Sequence, residues 1–195
     1  LLLSFTRASS REMEKRFQKK SGNGEMPHFS TIHALCLGLL REERGIGKES
    51  LATLYEKMDW ISSYFFEKGI QREEIEEMLS NYCNQIAYFK SITEAERLSF
   101  LREEKNEDFL SLYRYYEAIR EQRRKLDFED LLLEVLKELQ KGTEISERWK
   151  MRYRHILVDE FQDLSLIQYE IIHALSERAE GIFAVGDEDQ SIYGF

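Results

Sequence analysis

Ile156-Leu157-Val158-Asp159-Glu160 and Ile182-Phe183-Ala184-Val185-Gly186-Asp187 are two apolar runs, and each ends in acid. Both are short and partly β-branched, which is the composition of strands in a parallel sheet. Between them Leu164, Ile167, Ile171, Ala174 and Leu175 recur at helical spacing, so the segment reads as strand, helix, strand. Strands joined by such a crossover run parallel, with a right-handed connection. The residues just after both strands then emerge at one carboxyl edge of the sheet. Those residues are Asp159-Glu160 and Gly186-Asp187.

Two successive carboxylates after an apolar strand repel each other and resist burial, which makes them a liability in a purely structural role. A divalent cation resolves the conflict. On that reading Asp159 binds magnesium, directly or through water, and Glu160 orients and deprotonates a water for attack on a γ-phosphate. The bland alternative is a solvated turn in which Asp163 caps the following helix.

Working outward, Asp127 can cap a helix whose buried face is Phe128, Leu131, Leu132, Val135, Leu136 and Leu139, ending at Gly142. At the start of the chain, Leu1 to Thr6 read as a short buried strand and Arg7 to Lys20 as a helix stopped by Ser21-Gly22-Asn23-Gly24. After Pro27 a second extended piece, His28 to Thr31, feeds a helix with Ile32, Leu35, Cys36, Leu39 and Leu40 on one face. Residues 45–125 differ in character. They are charged amphipathic helices with breaks near Gly69, Ser91 and Asn106 and an apolar stripe of Phe109, Leu112, Tyr116 and Ile119. The aromatics there, Trp60, Tyr64, Phe65, Phe66, Tyr82, Tyr88 and Phe89, read as core. The expected fold is α/β, with residues 1–44 and 126–195 forming one domain and the helical stretch 45–125 inserted into it.

The net charge of −9 argues at first sight against a nucleic-acid partner. Its distribution weakens that argument. Residues 1–20 hold six basic and two acidic side chains, whereas residues 159–189 hold nine acidic side chains and only Arg178. An acid-rich segment of that kind suits a metal-nucleotide site better than a DNA groove. Cys36 and Cys83 lack metal-ligand or disulfide spacing and read as buried thiols. No apolar run approaches the roughly 18 residues of a membrane span, and Leu1-Leu2-Leu3 is too short for a signal peptide. A soluble cytoplasmic protein is expected.

The segments His155-Ile-Leu-Val-Asp-Glu-Phe-Gln-Asp163, with Gln168 beyond it, and Val185-Gly-Asp-Glu-Asp-Gln-Ser-Ile-Tyr-Gly-Phe195 resemble motifs II and III of UvrD/Rep/PcrA-type superfamily 1 DNA helicases. Ser4-Phe-Thr-Arg-Ala-Ser-Ser-Arg-Glu-Met13 is similar to motif Ia, and Ser30-Thr-Ile-His-Ala34 to motif Ib. Leu126-Asp-Phe-Glu-Asp-Leu-Leu132 resembles the stretch that returns to the first motor domain. The motifs come in the family's order, and residues 45–125 occupy the place of its 1B subdomain.

The resemblance implies a parallel RecA-like sheet of the P-loop NTPase type, belonging to an ATP-dependent helicase that moves 3′ to 5′ on single-stranded DNA and engages single-strand/duplex junctions. Asp159 matches the magnesium carboxylate, Glu160 the catalytic base and Gln190 the glutamine that senses the γ-phosphate. Tyr193 and Phe195 match aromatic positions that contact bases, while Phe5, Thr6, Thr31 and His33 match the single-strand path. Ser4, Ser9-Ser10 and Ile32 depart from the residues usual at their positions. The sequence also contains no Gly-x-x-x-x-Gly-Lys-Ser/Thr loop. An internal fragment of a longer helicase, inactive in isolation, is therefore expected. Two other readings stay open: a helicase-like DNA-binding subunit of a repair or recombination complex that has lost hydrolysis, and an acidic helical interaction module built on residues 45–125.

Overall fold

A computed structural model describes residues 1–21, 25–102 and 108–187. The chain divides into two compact units, one made of residues 1–46 and those from Leu131 onward, the other of Gly47–Asp130.

The first unit is α/β. Its strands are β1 (Leu2–Leu3), β2 (Phe29–Ser30), β3 (His155–Val158) and β4 (Gly181–Ala184), in the order β2-β1-β3-β4 with every pairing parallel. Leu2 pairs with both Phe29 and Leu157, and Val158 pairs with Ala184. Helix α1 (Arg7–Ser21) links β1 to β2, and α2 (Ile32–Arg44) follows β2. Thr31 caps α2, its hydroxyl accepting from the Ala34 N–H, and Gly45 ends the helix at φ 67°, a left-handed conformation that suits glycine. The face expected from spacing is the buried one: Ile32, Leu35, Cys36, Leu39 and Leu40 are all closed off from water. Burying side chains of this kind is worth about 1.5–3 kcal/mol each before entropy is counted. Cys83, in the other unit, is also a buried free thiol.

Helix α9 (Leu166–Ser176) connects β3 to β4 and buries Ile167, Ile171, Ala174 and Leu175. Leu164, expected on that helix, precedes it. The N-cap is Ser165, with Gln168 completing the capping box, so Asp163 does not cap α9. Asp163 instead closes a 3₁₀ turn over Phe161–Asp163. Apolar composition does not guarantee burial in this sheet. Ile156 and Val158 are buried, whereas on the outer strand β4 Ile182 is 51% and Phe183 63% exposed.

The second unit is helical: α3 (Leu54–Glu67), α4 (Arg72–Ser91), α5 (Glu94–Arg102) and α6 (Phe109–Gln122), preceded by a 3₁₀ turn at Lys48–Ser50. A capping box between Thr53 and Glu56 starts α3, and Gly69 at φ 79° follows its end. Among the described residues its only β pairing is an isolated bridge between Leu51 and Leu126, which joins the two chain ends of the unit. The core gathers Trp60, Ile61, Tyr64, Phe65, Ile75, Ile86, Phe89, Phe109, Leu112 and Tyr116. Of the aromatics expected in the core, Phe66 and Tyr88 are instead about half exposed, because they lie on the outer faces of α3 and α4. The break expected at Asn106 lies outside the described residues.

Helix α7 (Phe128–Gln140) carries the division between the units. Asp127 caps it as expected, its carboxylate accepting from the Asp130 N–H while Asp130 accepts from the Asp127 N–H. Leu131, Leu132, Val135 and Leu139 are buried, but Phe128 is 43% exposed and does not belong to that face. It stands in the first turn, ahead of the stretch of α7 that contributes to the α/β unit. Helix α8 (Glu144–Lys150), capped by Thr143, has no counterpart in the expected elements. Seven residues are too few to show an apolar repeat, although it buries Trp149.

Candidate functional site

Because all four strands are parallel, their carboxyl ends lie along one edge of the sheet. Ser4, Phe5 and Thr6 follow β1, Thr31 and His33 follow β2, Asp159-Glu160 follow β3, and Val185-Gly186-Asp187 follow β4. The order β2-β1-β3-β4 sets the acidic pair between the β1 segment and the β4 segment. Backbone bonds hold these ends together. The Ser4 N–H donates to Ser30 O at 3.1 Å, that of Asp159 to Leu3 O at 2.9 Å, and that of Val185 to Val158 O at 2.8 Å.

A cavity of about 120 Å³ opens at this edge between Phe5, His33, Asp159 and Gln168, over Leu3, Val158 and Ile172. Phe5 and His33, placed on a nucleic-acid path by resemblance, thus border the same space as Asp159, placed at a metal-nucleotide site. Phe5 is 46% exposed. Burial, and secondarily the Arg7 charge, pull the His33 imidazole below its ordinary pKa, which favours the neutral ring.

Thr6 and Thr31 have local work to do. Thr6 Oγ1 accepts from the Ser9 N–H and meets the Ser9 hydroxyl at 2.8 Å, fixing the start of α1. Thr6 remains exposed, whereas Thr31 is buried and offers little outward surface.

Glu160 has φ 54° and ψ 46°, left-handed values uncommon for a residue with a Cβ. Its backbone is pinned from both sides: the Phe161 N–H donates to Val185 O at 2.9 Å, and the Asp163 N–H donates to Glu160 O at 3.0 Å. Such a turn ends the strand abruptly and leaves the Glu160 side chain exposed while Asp159 stays half-buried. Left-handed backbone at a non-glycine costs on the order of 1–3 kcal/mol and persists where surrounding bonds impose it.

Sequence reasoning passed over Gln162. Its amide N–H donates to Glu160 Oε2 at 2.7 Å, and its carbonyl oxygen accepts from the Asp187 N–H at 3.1 Å. The only available signal was an amide two positions after the acidic pair. Gln190, Tyr193 and Phe195 lie outside the described residues.

No group of three or more His, Cys, Asp or Glu residues forms a metal cage among the described residues. A half-buried carboxylate at a strand end nevertheless fits magnesium, which binds through one or two carboxylates and takes its remaining ligands from phosphate and water. The donor chemistry at Asp159 is therefore of the right kind. No helix among the described residues is long and apolar enough to cross a membrane.

The sequence matches the family model of the UvrD/REP helicase N-terminal domain over residues 1–195. It is 30% identical over 203 residues to the ATP-dependent DNA helicase Rep of Salmonella typhimurium, covering 99% of this chain and 29% of that protein. It is 29% identical over 210 residues to a probable DNA helicase II homolog of Mycoplasma pneumoniae, again with 99% and 29% covered. With the ATP-dependent DNA helicase PcrA of Staphylococcus aureus the identity is 28% over 205 residues, covering 100% of this chain and 27% of the relative. The chain thus spans less than a third of the length of these relatives.

Proposed function

Since the chain belongs to the UvrD/REP helicase family, we propose that it forms part of the first motor domain of an ATP-dependent DNA helicase that translocates 3′ to 5′ on single-stranded DNA and opens single-strand/duplex junctions. Residues 1–44 and 126–195 supply a RecA-like nucleotide-binding sheet, and residues 45–125 are a helical insertion within it. The observation that carries this reading is the shared cavity, which sets Asp159 beside Phe5 and His33 on one sheet edge. Hydrolysis at one end of such an edge can act on DNA at the other through a few residues.

Asp159 holds magnesium, directly or through water, and Glu160 accepts the proton of the attacking water. Magnesium, when bound with the nucleotide, supplies charge neutralisation at the phosphates. Gln190 contacts the γ-phosphate, since an amide can donate to phosphate oxygen and accept from water without adding charge. Phe5, Thr6, His33, Tyr193 and Phe195 contact the single strand, and Thr31, buried as the cap of α2, supports that path from behind.

The test is Glu160→Gln in the full-length protein. The amide keeps the side chain's shape but takes no proton, so DNA-stimulated ATP hydrolysis is expected to fall about 10²- to 10⁴-fold with nucleotide binding retained. An unchanged rate at saturating ATP and DNA refutes the assignment. A full-length protein that binds single-stranded DNA yet never hydrolyses ATP would favour the other reading, an inactive helicase-like DNA-binding subunit.

A further inference from the structure

The Gln162 side chain bridges the ends of the two strands that carry the acids. One end of its amide holds Glu160 Oε2 at 2.7 Å, and the other accepts the Asp187 N–H at 3.1 Å, across 25 residues of sequence. Gly186 makes room for this bridge. A Cβ built there would sit 2.5 Å from Gln162 Oε1, a separation that forces the amide to move, and a tight 3.3 Å from the Gln162 backbone nitrogen. Glu160 is exposed, and an exposed carboxylate on two methylenes samples several rotamers unless something selects one. A neutral amide N–H donated to a carboxylate is a charge-assisted bond, about twice as strong as a neutral pair.

We propose that Gln162 is a positioning residue for hydrolysis, fixing the aim of the Glu160 carboxylate and tying it to the backbone that leaves β4. The inference rests on reading Glu160 as the general base. Gln162 touches neither nucleotide nor DNA in this account. It acts through Glu160, and the Asp187 bond makes the aim of that carboxylate depend on the conformation of the β4 end. When that segment shifts, the amide follows it or releases it, and the base loses its orientation. Gly186 is required because any side chain there would push the amide off its acceptor position.

The experiment uses the full-length protein and steady-state, DNA-stimulated ATP hydrolysis, with a thermal melt of every variant. Gln162→Leu and Gln162→Glu both remove the donor to Glu160 while roughly keeping volume. Each is expected to lower kcat about 10- to 100-fold, the cost of a misplaced catalytic group, with KM for ATP within about twofold. Gly186→Ala should lower kcat in the same direction, and Gly186→Ala combined with Gln162→Leu should be no worse than the more severe single change, because both break one bridge. In a Glu160→Gln background, Gln162→Leu should remove nothing further from the residual rate. Unchanged kcat in the Gln162 variants, a further loss in the Glu160→Gln background, or additive losses with Gly186→Ala overturns the proposal. So does a fall in kcat and affinity together with the melting temperature, which marks a merely structural role. If Glu160→Gln is inactive and the Gln162 variants are not, positioning alone fails. If Glu160→Gln retains the wild-type rate, the base assignment fails first.

Discussion

The ammonium nitrogen of Lys90 lies 2.6 Å from Oδ2 of Asp127, and both side chains are shut away from water. Lys90 also meets Asp130 at 2.8 Å and Glu117 at 2.7 Å, while Arg120 reaches Asp130 at 3.3 Å and the Tyr116 hydroxyl donates to Asp127 at 3.3 Å. This cluster sits at the start of α7, wholly within the helical unit. Burial works against the charged ammonium, but the combined fields of Asp127, Asp130 and Glu117 outweigh it and hold the lysine above its ordinary pKa.

Lys90→Met is therefore expected to destabilise the helical unit by about 3–5 kcal/mol, because it strips the buried carboxylates of the ammonium that all three contact. Combining it with Asp127→Asn and Asp130→Asn should restore part of the loss. Denaturant unfolding followed by tryptophan fluorescence from the buried Trp60 reads this directly. A loss below about 1 kcal/mol, the range of an exposed pair, would refute the role given to the cluster.

The same cluster sets a pH dependence. Burial and then the adjacent Asp127 charge push the Asp130 carboxyl up to about 6, whereas Asp127, despite its burial, is held low by Lys90. The two carboxyls titrate as a pair, with the proton residing chiefly on Asp130. A raised folded-state pKa means that the native state binds more protons between the unfolded value of 3.8 and about 6, so this contribution to stability is lost as pH rises through about 6. Asp130→Asn mimics the protonated form at every pH. The melting temperature of the variant minus that of the wild type should rise between pH 5 and pH 7, and a flat or falling difference counts against the assignment.

Ile171, fully buried on α9, anchors the crossover between the two acid-bearing strands. Ile171→Ala should cost about 2–5 kcal/mol through lost burial and the cavity left behind. Leu166→Ala on the same helix, where the side chain is 51% exposed, should stay within about 0.5 kcal/mol. Equal effects in chemical denaturation would mean that α9 does not pack as described.

On the DNA side, Tyr193→Ala and Phe195→Ala in the full-length protein should each weaken single-stranded DNA binding by about 1–3 kcal/mol while leaving nucleotide affinity nearly unchanged. Gln190→Ala should instead leave DNA affinity insensitive to whether ADP or an ATP analogue is bound. Titration of labelled single-stranded DNA, beside a thermal melt, checks both. Unchanged DNA affinity with a lowered melting temperature would make the rings core residues.

The sequence alone determined the strand-helix-strand unit around Asp159 and Glu160, the buried face of α2 and the helical character of residues 45–125. Each is written in short-range spacing: a period of two or 3.6, an acid at a strand end, a capping residue before an apolar repeat. Only the tertiary structure decided the strand order, which sets Phe5 and His33 on the cavity that Asp159 borders. The partners of Lys90 at 37 and 40 residues' remove, the Gln162 bridge to Asp187, and the exposure of Phe183 beside the burial of Val158 were likewise decided there. Local patterns state which face of an element is apolar, but not which other element comes to meet it. A charge destined for a buried cluster looks in sequence like a charge destined for water, since what separates them is the company that folding brings from distant parts of the chain.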